Sequence, residues 1–314
     1  MTWLHATLLG LLQGLTEFLP VSSTAHMDLV PQLFHQPDPG AAFSAVVQLG
    51  PIVAIIAYFR DEIGRYLAGV FRTKSPARIP PGDIDAKLGW FTLLGTIPLI
   101  IFGVLLEHRI DHQFRQLKVV AFSLIVLGIV LYLAERVGTR RKSLENMSLR
   151  QSQVIGWAQV LALVPGTSRS GVTITAGLFE GLDRESAARF SFLLSIPAIS
   201  AAGLYKLLKV IKLFRTPGAA TILATYLFAA LVAGVFAYVV IRWFLGYMRE
   251  HNTGIFIVYR IVLGAAVLLL LHQGVIADRT PSPAASMTTA STRPPISTLS
   301  AAAARSQAPR LGTF

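Results

Sequence analysis

Six apolar runs constrain this chain more than any other feature. They cover Ala41–Phe59, Gly89–Leu106, Val119–Leu133, Phe190–Leu208, Ala219–Ile241 and Ile255–Leu271. A bilayer core is crossed by about 20 apolar residues in a helix, and the third run needs flanking residues to reach that length. Each backbone amide inside a bilayer must be satisfied within the structure, which leaves helices or closed barrels. Runs of this length predict helices. Charged residues make up only 14% of the 314 residues, against roughly 25% in a soluble domain. The expected class is an all-α integral membrane protein.

Two further apolar segments are interrupted. Met1–Val30 breaks at Glu17–Pro20 and again at Ser22–His26, within "QGLTEFLPVSSTAH". Val154–Phe179 breaks at "PGTSRSG", Pro165 to Gly171. Each predicts a helix, a proline-containing break and a second helix, that is, a re-entrant hairpin. Irregular backbone at membrane depth survives only where it is buried in protein or lines a wet cavity.

The two interrupted segments also resemble each other. Gly10 aligns with Gly156, Gln13 with Gln159, Pro20 with Pro165 and Ser23 with Ser168, with one gap. Further on, Pro51 falls on Pro197 and Phe59 on Tyr205. The pattern predicts an internal duplication, with repeat one about 1–135 and repeat two about 150–277 in a single membrane domain, 1–277. Each half would be one hairpin plus three spans. An odd number of spans turns the second half over, giving an inverted repeat whose site lies where the broken helices meet. Residues 278–314 shift to Pro, Ser, Thr and Ala without periodicity and are expected to form a disordered tail.

Basic residues crowd the stretches after the first and third runs: Arg60, Arg65, Arg72, Lys74, Arg78 and Lys87, then Arg136, Arg140, Arg141, Lys142 and Arg150. Fewer lie opposite, at Arg109, Arg115, Lys118, Lys209, Lys212 and Arg215. The positive-inside rule places the first set in the cytoplasm. The net charge of +12 is therefore assigned to lipid headgroups, and no nucleic-acid partner is expected. There is no cysteine, which excludes disulfides, Cys-ligated metals and Cys-nucleophile chemistry. The first residues, "MTWLHATLLGLLQGLTEF", lack a basic start and are expected to stay in the mature chain.

The breaks carry the chemistry. Gln13 and Glu17 share a helix face. Pro20 biases Leu19 out of the helical region. Ser22 or Ser23 then caps the next helix, with His26 in its first turn. Free N–H groups at that turn favour an anion, phosphate above all. In the second break Thr167, Ser168 and Ser170 supply hydroxyls, Gly166 and Gly171 allow close backbone approach, and Arg169 offers a planar fork for phosphate oxygens. Elsewhere, Asp183 is expected to cap a helix, Gln48 faces either the cavity or a neighbouring helix, and Arg260 is expected to snorkel to the interface.

These two motifs resemble the signature motifs of the bacterial undecaprenyl-diphosphatase family of the bacitracin-resistance type, and "FSFLLSIPAI" and "VVQLGPIVAII" are similar to family segments. The resemblance runs from about Leu8 to Leu271. It implies a multi-pass enzyme of the bacterial inner membrane that hydrolyses undecaprenyl diphosphate to undecaprenyl phosphate, the carrier lipid of cell-wall synthesis. It implies a polyprenyl diphosphate and membrane lipids as partners, and a homodimer is compatible with it. It also implies a divalent cation, Mg²⁺ or Ca²⁺. The family pattern has Glu or Gln four residues before its acidic position; Gln13 here leaves Glu17 as the main anionic ligand. The family's Gly before the motif His is Ala25.

The expected catalytic residues are Glu17, Ser22, Ser23, His26 and Arg169. Gln13, Thr24, Thr167, Ser168, Ser170 and Gly171 are the expected substrate contacts. Ser23 is first choice as nucleophile or phosphate contact and Ser22 second. His26 would serve as general acid or base, and a water nucleophile fits equally well. A polyprenyl-phosphate flippase using the same cavity is the competing reading.

Overall fold

The computed structural model describes residues 2–34, 36, 40–112, 116–210 and 219–278. Twelve α-helices occupy them: α1 (Trp3–Thr16), α2 (Ser23–Leu33), α3 (Gly40–Val47), α4 (Leu49–Tyr58), α5 (Arg60–Thr73), α6 (Ile84–His112), α7 (Leu117–Val137), α8 (Leu149–Gln159), α9 (Arg169–Phe179), α10 (Arg184–Val210), α11 (Ala219–Glu250) and α12 (Gly254–His272). Five of them, α6, α7, α10, α11 and α12, are long and apolar enough to cross a membrane. Their outward positions stay apolar: Val104, Phe122, Val126, Leu231, Val258 and Val262 are all exposed. Such a belt suits lipid rather than water.

The first expected span differs from a plain crossing. It is interrupted at Gln48, between α3 and α4, and α4 is followed by a turn of 76° into α5. Helix α5 lies in what the charge pattern marks as a loop. It starts with Asp61 and Glu62 and carries Arg72 in its last turn, in keeping with the helix dipole. Asp183 caps α10, its Oδ1 accepting from the Ser186 N–H at 2.8 Å.

Some helix contacts correspond between the two halves, while those of α9 with α7 and α10 have no equivalent for α2 among the described residues. Helix α1 packs on α11 as α8 packs on α6, and α7 packs on α12. The hairpin helices approach through glycine at matched positions. A Cβ on Gly10 would lie 2.4 Å from the Ala229 carbonyl oxygen, and one on Gly156 would lie 2.2 Å from that of Gly95. Neither backbone could move that close with a side chain in place.

Arg109, Arg115, Lys209, Lys212, Arg215 and the tail beyond Asp278 fall, wholly or by their side chains, outside the described residues. Asp278 itself is placed, and not as tail. Its Oδ1 accepts from the Leu117 N–H at 2.8 Å, and its Oδ2 lies 3.6 Å from Lys118 Nζ. The residue thus caps α7 from 161 positions away. Asp278→Ala is expected to cost about 1 kcal/mol, the usual value of a lost N-cap, seen as a lower thermal midpoint in detergent. An unchanged midpoint would remove the cap from the account.

Candidate active site

Both breaks end in a serine that caps the following helix from a left-handed conformation. Ser22 has φ 71° and its Oγ accepts from the Ala25 N–H at 3.4 Å. Ser168 has φ 66° and its Oγ accepts from the Gly171 N–H at 3.1 Å. Each capping hydroxyl also meets the hydroxyl two residues on: Ser22 with Thr24 at 3.0 Å, Ser168 with Ser170 at 3.2 Å. Geometry therefore pairs Ser22 with Ser168 and Ser23 with Arg169, one residue off the sequence alignment. The prolines fix that alignment, whereas the caps fix the structural register.

The two breaks interlock. Thr24 Oγ1 accepts from the Gly166 N–H at 3.3 Å, and Ser170 Oγ donates to the Leu19 carbonyl at 2.9 Å. At the junction sits Glu17, only 9% exposed. Its Oε1 accepts from Arg169 Nη2 at 3.0 Å and Gln48 Nε2 at 3.4 Å. Its Oε2 accepts from Ser23 Oγ at 2.7 Å and Gln13 Nε2 at 2.9 Å. So Gln13, Glu17, Ser23 and Arg169 meet at one carboxylate, joined by Gln48, for which the sequence leaves two positions open.

The first N–H groups of α2 and α9, on Ser23, Thr24, Arg169 and Ser170, have no protein partner among the described residues. Two helix N-termini thus present unsatisfied donors around one guanidinium, which is an arrangement for a phosphate.

Three expectations need correction. His26 does not face the serine hydroxyls. Its Nδ1 lies 2.7 Å from the Ser22 carbonyl oxygen and its Nε2 2.6 Å from the Tyr259 hydroxyl, with the two rings stacked at 4°. A carbonyl only accepts, so Nδ1 carries a proton, and in the neutral imidazole Tyr259 donates to Nε2. The hydrogen-bond acceptor beside Ser23 is Glu17, through Oε2. The Thr167 carbonyl accepts from Arg260 Nη2 at 2.9 Å. Finally, Arg260 is 0% exposed and does not snorkel. Nor is the space beside Gly171 open for a ligand: a Cβ there would lie 2.5 Å from Arg260 Nη1. Tyr259 and Arg260 belong to α12, which carries no local motif that points to the site.

A cation on Glu17 fits this arrangement poorly. A carboxylate offers about four lone-pair directions, and four donors occupy them here. Among the described residues no group of three His, Asp or Glu gathers to hold a metal. The residues present do not form a protein-held cation cage.

The chain is similar to known proteins over most of its length. The family profile described as Bacitracin resistance protein BacA matches residues 6–266. A curated relative named Undecaprenyl-diphosphatase, from Pelodictyon phaeoclathratiforme, is 48% identical over 284 residues, covering 88% of this chain and 99% of the relative. Relatives of the same name from Myxococcus xanthus and Renibacterium salmoninarum are 45% and 44% identical, covering 87% and 88% of this chain and 91% and 98% of their own lengths.

Proposed function

This chain belongs to the bacitracin resistance protein BacA family, and on that premise we propose that it hydrolyses undecaprenyl diphosphate in the bacterial inner membrane. The products are undecaprenyl phosphate and inorganic phosphate, which recycles the carrier lipid for wall synthesis. Full-length similarity to relatives named for that activity supports the reaction. The observation that carries the mechanism is the hydrogen-bonded line from Ser23 Oγ through Glu17 to Arg169, at 2.7 and 3.0 Å.

The substrate's diphosphate binds against the free N–H groups of α2 and α9 and draws the Arg169 fork onto its oxygens. Glu17 Oε2 takes the proton of Ser23 as its Oγ attacks the terminal phosphorus. The Oγ–P bond forms, and the bond from that phosphorus to the bridging oxygen breaks. The polyprenyl phosphate departs with that electron pair. It leaves without strong acid assistance, since a phosphate's second pKa is about 6. Water then attacks the phosphorus of the phosphoserine, its oxygen–phosphorus bond forming as the Oγ–P bond breaks; Ser23 Oγ recovers its proton from Glu17, and both protons of the water leave with inorganic phosphate as H₂PO₄⁻. Arg169 and the helix ends stabilise charge in both steps. His26 holds the Ser22 carbonyl and so keeps the cap in its left-handed conformation.

A divalent cation, where the reaction uses one, would enter on the substrate's phosphates with most of its waters, the ordinary habit of Mg²⁺.

The test is phosphate release from a polyprenyl diphosphate in detergent, with and without chelator. Ser23→Ala is expected to lose about 10³-fold or more, and acid-quenched wild type should carry phosphate on Ser23. A Ser23→Ala rate within tenfold of wild type would assign the attack to water. Hydrolysis in detergent also excludes a pure flippase, which needs a sealed bilayer.

A further inference from the structure

Arg260 is the largest fully buried side chain in the described part of the protein, and no carboxylate pairs with it there. A buried charge without a partner is costly unless dipoles replace the lost water. Here five backbone carbonyls do so. Nε lies 3.3 Å from the Leu124 oxygen and Nη1 3.2 Å from that of Pro20. Nη2 lies 3.3, 3.5 and 2.9 Å from those of Ser123, Gly166 and Thr167. Two of these carbonyls belong to α7, one to the first break and two to the second. One guanidinium therefore gathers both breaks onto a long membrane helix.

The direction of those carbonyls has a chemical consequence. A trans peptide points its N–H opposite to its C=O, and no cis peptide occurs among the described residues. With the Thr167 carbonyl held toward Arg260, the Ser168 N–H is turned away from it, and that N–H makes no hydrogen bond among the described residues. It stands immediately before the free N–H groups of Arg169 and Ser170. The glycine at 171 leaves the room that Nη1 occupies, 2.5 Å from where a Cβ would be.

We propose that Arg260 is a positioning residue for the phosphate site. It touches no substrate atom; it sets the orientation of the Thr167–Ser168 peptide, whose free N–H precedes the free donors of α9, and by holding the Pro20, Gly166 and Thr167 carbonyls together it keeps Ser23 and Arg169 in register across Glu17. The inference rests on the hydrolytic reading above. A fixed set of donors lowers the barrier because no reorganisation is needed when charge develops. Loss of Arg260 therefore reduces kcat more than it raises KM.

The experiment compares Arg260→Ala, Arg260→Lys and Arg260→Met with wild type in detergent. It reads kcat and KM for phosphate release, and hydrogen exchange of peptides covering the two breaks. Arg260→Ala is expected to lower kcat about 100-fold with KM within about threefold, and millimolar guanidinium, but not matched sodium chloride, should restore about tenfold of it. Arg260→Lys keeps the charge but not the planar fork and should remain at least about tenfold slow. Exchange at both breaks should quicken in Arg260→Met. Wild-type kcat in Arg260→Lys, absence of guanidinium rescue, or unchanged exchange at the breaks would each overturn the proposal, as would failure of all three variants to fold, which would make the role one of stability alone. A wild type that releases no phosphate would sink the hydrolytic reading instead, while hydrogen exchange would still decide whether Arg260 clamps the breaks.

Discussion

Glu17→Gln is expected to slow phosphate release by about 10³-fold, within the 10²–10⁴ range for loss of a positioned acid–base group. The substitution keeps the shape of the side chain. It removes the acceptor for the Ser23 proton and the counter-charge of Arg169, which approach Glu17 at 2.7 and 3.0 Å. It also sets a new amide N–H₂ among neighbours that all donate, including Gln13 and Gln48. Glu17→Asp should fall between the two, because one methylene less draws the carboxylate away from Ser23. A Glu17→Gln rate within tenfold of wild type would place the proton acceptor elsewhere.

Arg169→Lys is expected to lower kcat/KM by about 10²–10³-fold, the usual effect of losing one transition-state charge donor. Lysine keeps the charge but offers a point rather than a fork. Arg169 is also the buried partner of Glu17, with side chains 15% and 7% exposed. Removing the charge of one member, as Glu17→Gln does, leaves the other uncompensated at roughly 3–5 kcal/mol of stability, whereas Arg169→Lys keeps a counter-charge. Activity must therefore be read beside a thermal midpoint. The double variant Glu17→Gln/Arg169→Lys should be scarcely slower than either single one, since residues that act as a unit lose activity non-additively. Fully multiplicative losses would show that the two residues act apart.

Much of this arrangement is legible in the sequence, for physical reasons that can be traced to particular residues. Pro98 and Pro197 lie within intact helices, and Pro20 and Pro165 mark breaks because polar and ionisable residues adjoin them. The meeting of Glu17 with Arg169, 152 positions apart, is expected from two interrupted apolar segments that each carry ionisable side chains at a break. What the sequence hides comes from elsewhere in the fold. Tyr259 and Arg260 reach the site from α12, which carries no local signature, and Gln48 reaches it from the interruption between α3 and α4, a position the sequence leaves open between cavity and neighbouring helix. Arg260 reads as an interfacial arginine because its partners are carbonyl oxygens, which every residue possesses. The capping register at Ser22 and Ser168 depends on backbone conformation and not on residue type. The helix at Arg60–Thr73 is masked by its many charges, which are as common in loops as on solvated helix faces.

Ser23 and Arg169 hold the same place, each the first helical residue after its break, and both bond the same carboxylate. Two identical chains arranged about an axis would carry the same amino acid at both tips: two hydroxyls or two guanidiniums, never one of each. Here a single polypeptide supplies both tips, and their local sequences differ, so a hydroxyl and a guanidinium can share a single point in space.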